Sequence, residues 1–264
     1  MINCLALIFI ENGIISLLDT IVERGAGIAA NRTLACVRKM FNWAVSRDVL
    51  ENNPCLSIKA PAKENRRDRV LSSEEIYNFW KNLDNTTMIP LSRLALKMQL
   101  VTAQRKGEIL SARWEDFDLP NKMWVIAAEV AKNGLSHRVP LSGLACELLG
   151  QAQEHSKGSR YLFPSATGLK PLQGGSVDHA MRKSRGILGI EDATPHDLRR
   201  TAASHMASLG VNRLVISKIL NHTEHSVTSV YDRYSYDAEK KEALERWSDY
   251  LLKLIKQGGT EANK

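Results

Sequence analysis

The sequence predicts a mainly α-helical chain with one small antiparallel β-sheet, on three observations. Apolar residues recur at helical spacing over most of its length. Residues 123–127 and 137–141 read instead as two short strands around Lys132-Asn133-Gly134, and Asn-Gly is a strong hairpin signal. Near residue 60 the apolar periodicity gives way to a basic run, which divides the chain.

The opening segment MINCLALIFIENGIISLL has no basic leading stretch and no small-residue cleavage site. Glu11 and Asn12 interrupt it well short of the ~18 apolar residues of a membrane span, so it reads as the start of a buried helix. From Ala29, the residues Leu34, Val37, Phe41, Ala44 and Val45 fall at helical spacing until Asn52-Asn53-Pro54 ends the pattern. Residues 58–69 form a linker, in which Lys59, Lys63, Arg66, Arg67 and Arg69 outnumber Glu64 and Asp68. The division is therefore 1–57, 58–69 and 70–264.

After the linker, Ser72-Ser73-Glu74-Glu75 makes a capping box for a helix through Trp80, and PLSRLALKMQLVTA continues as a mostly buried helix. Beyond the strands, helices return from Ser176, with Gly210 placed as the terminating glycine after TPHDLRRTAASHMASL. A last amphipathic helix, about 238–255, lines up Leu244, Trp247, Leu251 and Ile255. That seam must bury itself, either against its own domain or against a neighbouring protomer.

With 264 residues, 44% hydrophobic and 25% charged, the chain can build one or two cores, and its 16 Gly and 8 Pro exclude collagen-like and low-complexity classes. Thirty-six Lys plus Arg against 29 Asp plus Glu give +7, which favours a polyanionic partner. Cys4, Cys36, Cys55 and Cys146 lie far apart with no C-x-x-C pair, which fits a reduced cytosolic compartment.

Three clusters stand apart from this scaffolding: Arg105-Lys106-Gly107-Glu108, His196-Asp197-Leu198-Arg199, and Leu220-Asn221-His222 followed by Tyr231. Each alone is weak evidence for chemistry. Two arginines and two histidines in this order nevertheless suit transesterification of a phosphodiester, whose transition state spreads negative charge over non-bridging oxygens. Arg105 and Arg199 would each offer those oxygens a planar fork of donors, which lysine lacks. A tyrosine hydroxyl, with a pKa of about 10, needs nearby cations or a base to attack. Tyr231, Tyr234 and Tyr236 compete for that role. A metal pair His222-x-x-His225 is the rival reading, but no H-E-x-x-H or carboxylate-rich cluster supplies further ligands.

Taken together, the clusters resemble the tyrosine recombinase (phage integrase) family, in particular prophage integrases. Thr102-Ala103-Gln104-Arg105-Lys106-Gly107-Glu108 looks like the box T-x-x-R-x-G-E, followed by Trp114 and Asp116-Phe117-Asp118. Residues 132–141 are similar to K-x-G-x-x-H-x-V-P-L, and 194–201 hold the H-x-x-R box. Leu220-Asn221-His222 matches L-x-H, with Tyr231 nine positions after His222. Arg233 and Tyr236 complete a Y-x-R-x-x-Y pattern, and the resemblance spans roughly residues 14–255.

The resemblance implies a catalytic domain at 70–264 preceded by a partial helical core-binding domain that grips DNA. It implies Tyr231 as nucleophile, Arg105 and Arg199 as the phosphate clamp, and His196 assisting proton transfer at the tyrosine. His222 would hydrogen-bond the scissile phosphate, Glu108 would hold the histidines, and Lys132 would protonate the 5′ leaving oxygen. It further implies strand cleavage and rejoining through a 3′-phosphotyrosyl intermediate with no cofactor or metal. The partners would be double-stranded DNA at attachment sites, a homotetramer on that DNA and accessory DNA-bending proteins, in the cytoplasm and at the nucleoid of a bacterium, with no membrane. A catalytically idle DNA-binding prophage remnant is the alternative. MINCLALIFIEN does not resemble the family, and only about 57 residues precede the linker. A shortened amino terminus that cleaves DNA but recombines poorly is the expectation from that difference.

Overall fold

The computed structural model describes residues 4–64, 68–222 and 234–258, with side chains from Phe9 onward. The chain separates into two compact units, Met1–Arg67 and Asp68–Lys264, each with its own apolar core. Among the described residues, no helix is long and apolar enough to cross a membrane.

In the first unit, α1 (Cys4–Glu23) and α2 (Gly27–Ser46) are joined by a turn at Gly25. Ile14, Leu18, Ala30, Leu34, Cys55 and Ile58 form the core between them and the returning chain. The opening helix forms, but it is not buried as a whole: Phe9 is 85% exposed. A helix that is apolar around much of its circumference can hide only the stripe that faces its one partner helix. The second helix also stops earlier than the sequence pattern does. Asp48 takes a left-handed conformation (φ 56°), and the amides of Asp48 and Val49 donate back to the carbonyls of Val45 and Ala44, closing the helix before Asn52. Residues 58–64 then run along α2, where the Asn31 carboxamide both donates to and accepts from the Ala62 backbone.

The second unit is built around α4 (Pro90–Thr102), eleven of whose thirteen residues are buried. Proline at its first turn fixes the helical φ where no amide bond is lost. Packed on it are α5 (Lys106–Ser111), α6 (Gly143–Ser156), α8 (Pro195–Ser208) and α10 (Asp237–Gln257). The helix α3 (Ser73–Asn82) starts at the expected capping box, Glu75 N–H donating to Ser72 Oγ and Ser72 N–H to Glu75. It packs on α7 (Gly174–Leu188), while α9 (Arg213–Ile219) packs on α8 and α10. Gly210 (φ 80°) follows α8 in the left-handed terminating position expected for it.

The sheet has three antiparallel strands, ordered β1 (Phe117–Asp118), β2 (Met123–Ile126), β3 (His137–Pro140). Trp124 sits opposite Phe117 and Val139, stacks on Phe117, and is buried. Asn133-Gly134 does not close a two-residue hairpin: the type I′ turn that Asn-Gly favours needs positive φ at both residues, and only Gly134 has it (φ 70°). Ten residues connect β2 to β3 instead, and this longer loop carries Lys132.

The seam of α10 is buried within its own unit. Leu244, Trp247 and Leu251 are core residues, and Trp247 Nε1–H donates to the Leu100 carbonyl at 2.9 Å. Replacing Trp247 with alanine should therefore destabilise the protein by about 3–5 kcal/mol, the cost of emptying a large aromatic site in a core. Urea unfolding measures it; a stability loss under 1 kcal/mol would mean that this face is not packed in cis.

Candidate active site

The site begins where α4 ends. Ala103 adopts a left-handed conformation (φ 57°), unusual for a residue with a Cβ, and this turns its carbonyl toward α8. Two residues on, Arg105 stands immediately before α5. Glu108, in the first turn of α5 and buried, reaches back: one carboxylate oxygen accepts from the Arg105 backbone amide (3.0 Å), the other from Arg105 Nη1 (2.8 Å). Glu108 thus holds Arg105 and not the histidines, because a carboxylate three residues into a helix is within reach of its start.

On α8, Thr194 and Asp197 cap the helix, Thr194 donating through both N–H and Oγ–H to Asp197. His196 and Arg199 are three residues apart and so share a face. Arg199 is 3% exposed, donates to the Ala103 carbonyl (2.8 Å), and also donates to the Leu220 carbonyl.

The end of α9 ties these parts together. Asn221 takes a left-handed conformation (φ 46°), and the amides of Asn221 and His222 donate back to Lys218 and Ser217. With Lys218 and Ser217 so closed, the carbonyls of Ile219, Leu220 and Asn221 remain for other donors, since a helix C-terminus leaves carbonyls without intrahelical partners. Ile219 O accepts from Gln104 Nε2 and, at 3.0 Å, lies against His137 Nε2. Leu220 O accepts from Arg199, and Asn221 O from Arg105 Nη2 (3.3 Å) and Asn133 Nδ2 (3.3 Å).

Arg105, Lys132, His196, Arg199, Arg200 and His222, with Ala203 and Leu220, line one open cavity of about 400 Å³. The structure thus brings together five of the residues singled out from the sequence, and Glu108 anchors one of them, Arg105. Tyr231, Arg233 and His225 lie outside the described residues. Tyr234 and Tyr236 are described and pack edge to face, with Lys218 Nζ 5.0 Å from the Tyr236 ring. Among the described residues, no group of three or more His, Cys, Asp or Glu could hold a metal ion.

The cavity is strongly cationic. Burial first, and the neighbouring Arg105 charge second, hold the Arg199 pKa down to about 10. His196 is pushed below the usual imidazole value by desolvation and by the Arg200 and Arg199 charges; desolvation, Arg199 and Arg105 do the same to His222. Both imidazoles are therefore neutral at pH 7, able to accept as well as donate a proton. Such a site suits an oxyanion whose negative charge grows during reaction.

The sequence profile of the phage integrase family matches residues 69–237. The chain belongs to the phage integrase family. Prophage integrase IntZ of Escherichia coli (strain K12) is 26% identical to it over 240 residues, which cover 90% of this chain and 59% of that relative. The integrase family member described here thus spans about three fifths of that relative's length. A crystal structure of a lambda integrase dimer bound to a COC′ core site shares the fold, with a TM-score of 0.66, 20% identity, and coverage of 81% of this chain and 79% of that one. Lambda integrase crystallised as a tetramer on a Holliday junction matches equally well, with a TM-score of 0.66 and 20% identity over 82% of this chain and 65% of that one.

Four residues of this phage integrase family site had no role assigned from sequence: Gln104, Asn133, His137 and Asn221. His137 is the most informative. It is buried beside the Ile219 carbonyl, and desolvation first, with the Lys240 charge second, lowers its pKa to about 4. Above pH 6.5 both folded and unfolded forms are neutral there. As pH falls from 6.5 toward 4, only the unfolded chain takes up the proton, so stability is lost, by about 2 kcal/mol at pH 5 and about 3 kcal/mol in full. His137→Gln keeps a donor for the carbonyl but cannot titrate. Urea midpoints at pH 7 and pH 5 should therefore diverge more for the wild type than for this variant; equal slopes would show that His137 does not carry the effect.

Proposed function

We propose that this chain is a site-specific DNA recombinase of the tyrosine type, acting in the integration or excision of a prophage or genomic island. One observation carries the reading: Arg105 and Arg199, far apart in sequence, are pinned to successive carbonyls at the end of α9 and face one cavity with Lys132, His196 and His222. Each guanidinium has five N–H donors, and the protein bonds use only some of them. The rest suit the two non-bridging oxygens of a phosphodiester.

In this mechanism the Tyr231 hydroxyl attacks the phosphorus, and neutral His196 takes its proton. The bond to the 5′ oxygen breaks, Lys132 protonates that oxygen, and a 3′-phosphotyrosyl linkage remains. His222 donates to the phosphate, while Arg105 and Arg199 neutralise the charge that develops in between. A 5′ hydroxyl of another strand then reverses the step. The phosphotyrosyl bond keeps the energy of the phosphodiester, so no nucleotide or metal is needed.

The second unit carries this chemistry, and the helical pair of the first unit serves as a partial core-binding domain, with the basic run 58–69 contacting phosphate. Double-stranded attachment-site DNA is the substrate, and a homotetramer is the working assembly, as in the lambda integrase tetramer on a Holliday junction. Accessory DNA-bending proteins assist, in the bacterial cytoplasm at the nucleoid.

A suicide DNA substrate that traps the covalent adduct tests the reading. Wild type should form the adduct equally well in chelator, and Tyr231→Phe should bind DNA yet form none. Adduct formation by the Phe variant, or dependence on a divalent metal, would overturn the mechanism. Absence of any wild-type adduct would instead favour the idle DNA-binding remnant. Arg199→Lys should slow cleavage by about 100-fold or more while weakening binding only a few-fold. A single ammonium cannot span the Ala103 and Leu220 carbonyls and still present a planar fork. Equal losses in rate and affinity would mark Arg199 as an ordinary backbone contact.

A further inference from the structure

The loop that carries Lys132 is joined to the end of α9 by one pair of side chains. Asn133 Nδ2–H donates to Asn221 Oδ1 (2.9 Å), and Asn221 Nδ2–H donates back to Asn133 Oδ1 (3.2 Å). The same Asn133 amide reaches the Asn221 carbonyl, on which Arg105 also rests, and Asn133 Oδ1 further accepts from the Leu135 amide (3.2 Å). Both carboxamides are therefore engaged at both ends, across 88 residues of sequence.

Backbone demands alone do not explain Asn221. Its left-handed φ would be met with less strain by glycine, the usual residue at the end of a helix closed in this way. Asparagine tolerates that conformation while adding a side chain, and here the side chain does one thing: it takes Asn133. An Asx turn to the Leu135 amide employs the Asn133 Oδ1, but it does not employ Nδ2, which goes to Asn221. Lys132 itself is exposed, on a flexible four-carbon stem, and has no hydrogen bond or ion pair of its own among the described residues. A lysine in that state is placed by its neighbours.

We propose that Asn133 and Asn221 form a clasp that positions Lys132 over the arginine cavity, coupling the lysine loop to the phosphate clamp. Both are positioning residues, and this inference rests on the recombinase reading, with Lys132 as the acid for the 5′ oxygen. Breaking the clasp should cost leaving-group protonation and little else.

The test is cleavage of two suicide substrates, one with the ordinary 5′ oxygen and one with a bridging 5′ sulfur, whose thiolate leaves without an acid. Asn221→Gly is the key variant because it keeps the left-handed backbone, the helix closure and the Arg105 contact, and removes only the carboxamide. Asn133→Ala removes the other half. Each should slow cleavage of the oxygen substrate by about tenfold or more, part of the 10²–10⁴ that a positioned acid supplies, and leave the sulfur substrate within about threefold of wild type. The double variant should be no slower than the slower single. Equal slowing on both substrates, additive losses, or no slowing would overturn the proposal. Hydrogen exchange at the Gly134 and Leu135 amides gives a readout without DNA: Asn221→Gly should speed it at unchanged global stability, and unchanged exchange would refute the clasp. If the wild type forms no adduct with either substrate, the recombinase reading fails by itself, and the exchange result still decides whether the clasp orders the loop.

Discussion

Everything in the cavity depends on how the seven-residue helix α9 ends. A helix C-terminus exposes carbonyls that must find donors or water, and here the donors are the side chains of the site. Gln104 takes the first carbonyl, Arg199 the second and Arg105 the third, with His137 beside the first and Asn133 joining at the third. The arrangement satisfies two needs with one set of bonds. The helix end is capped, and two like-charged guanidinium groups are fixed close enough that Arg105 depresses the proton affinity of Arg199 and both depress that of His222. The negative end of the helix dipole helps to offset that repulsion.

The cavity is consequently cationic. It holds Arg105, Arg199, Arg200 and Lys132 against two buried carboxylates, Glu108, which is committed to Arg105, and Asp197, which is paired with Arg200. Water cannot fully compensate Arg199, which is almost wholly buried. In the proposed reaction a phosphodiester would supply balancing negative charge, and the transition state, carrying more, would supply more of it. The donors need not move when that charge appears, because protein carbonyls already hold them in place.

Much of this was legible in the sequence, and the pattern of what was not is instructive. Local signals were readable: the Ser72 capping box, the glycine after α8, the strand pair, and the face shared by His196 and Arg199 all arise within a few residues. Asp48 and Asn221 were missed as helix terminators because a non-glycine residue in the left-handed conformation leaves little local trace. Ala103 is the extreme case, since nothing about alanine announces it. Glu108 was paired with the wrong partner, although its place in the first turn of α5 already favoured the start of its own helix. Gln104, Asn133 and His137 were unreadable for a different reason: their partners lie 82 to 115 residues away, and no local pattern encodes such a bond.

Those long separations also bear on the chain while it is being made. Arg199 reaches Ala103 across 96 residues, and Arg105 reaches Asn221 across 116. Contacts of this span form late, after local helices and only when most of the chain has condensed. If the chain acts on DNA as proposed, a nascent or partly unfolded form could already adhere through its net positive charge, since charge needs no fold. It has no assembled pair of guanidinium groups, however, and so no means of stabilising a cut. For the proposed recombinase, completion of the fold would thereby act as a safety catch: the ability to hold DNA would precede the ability to break it.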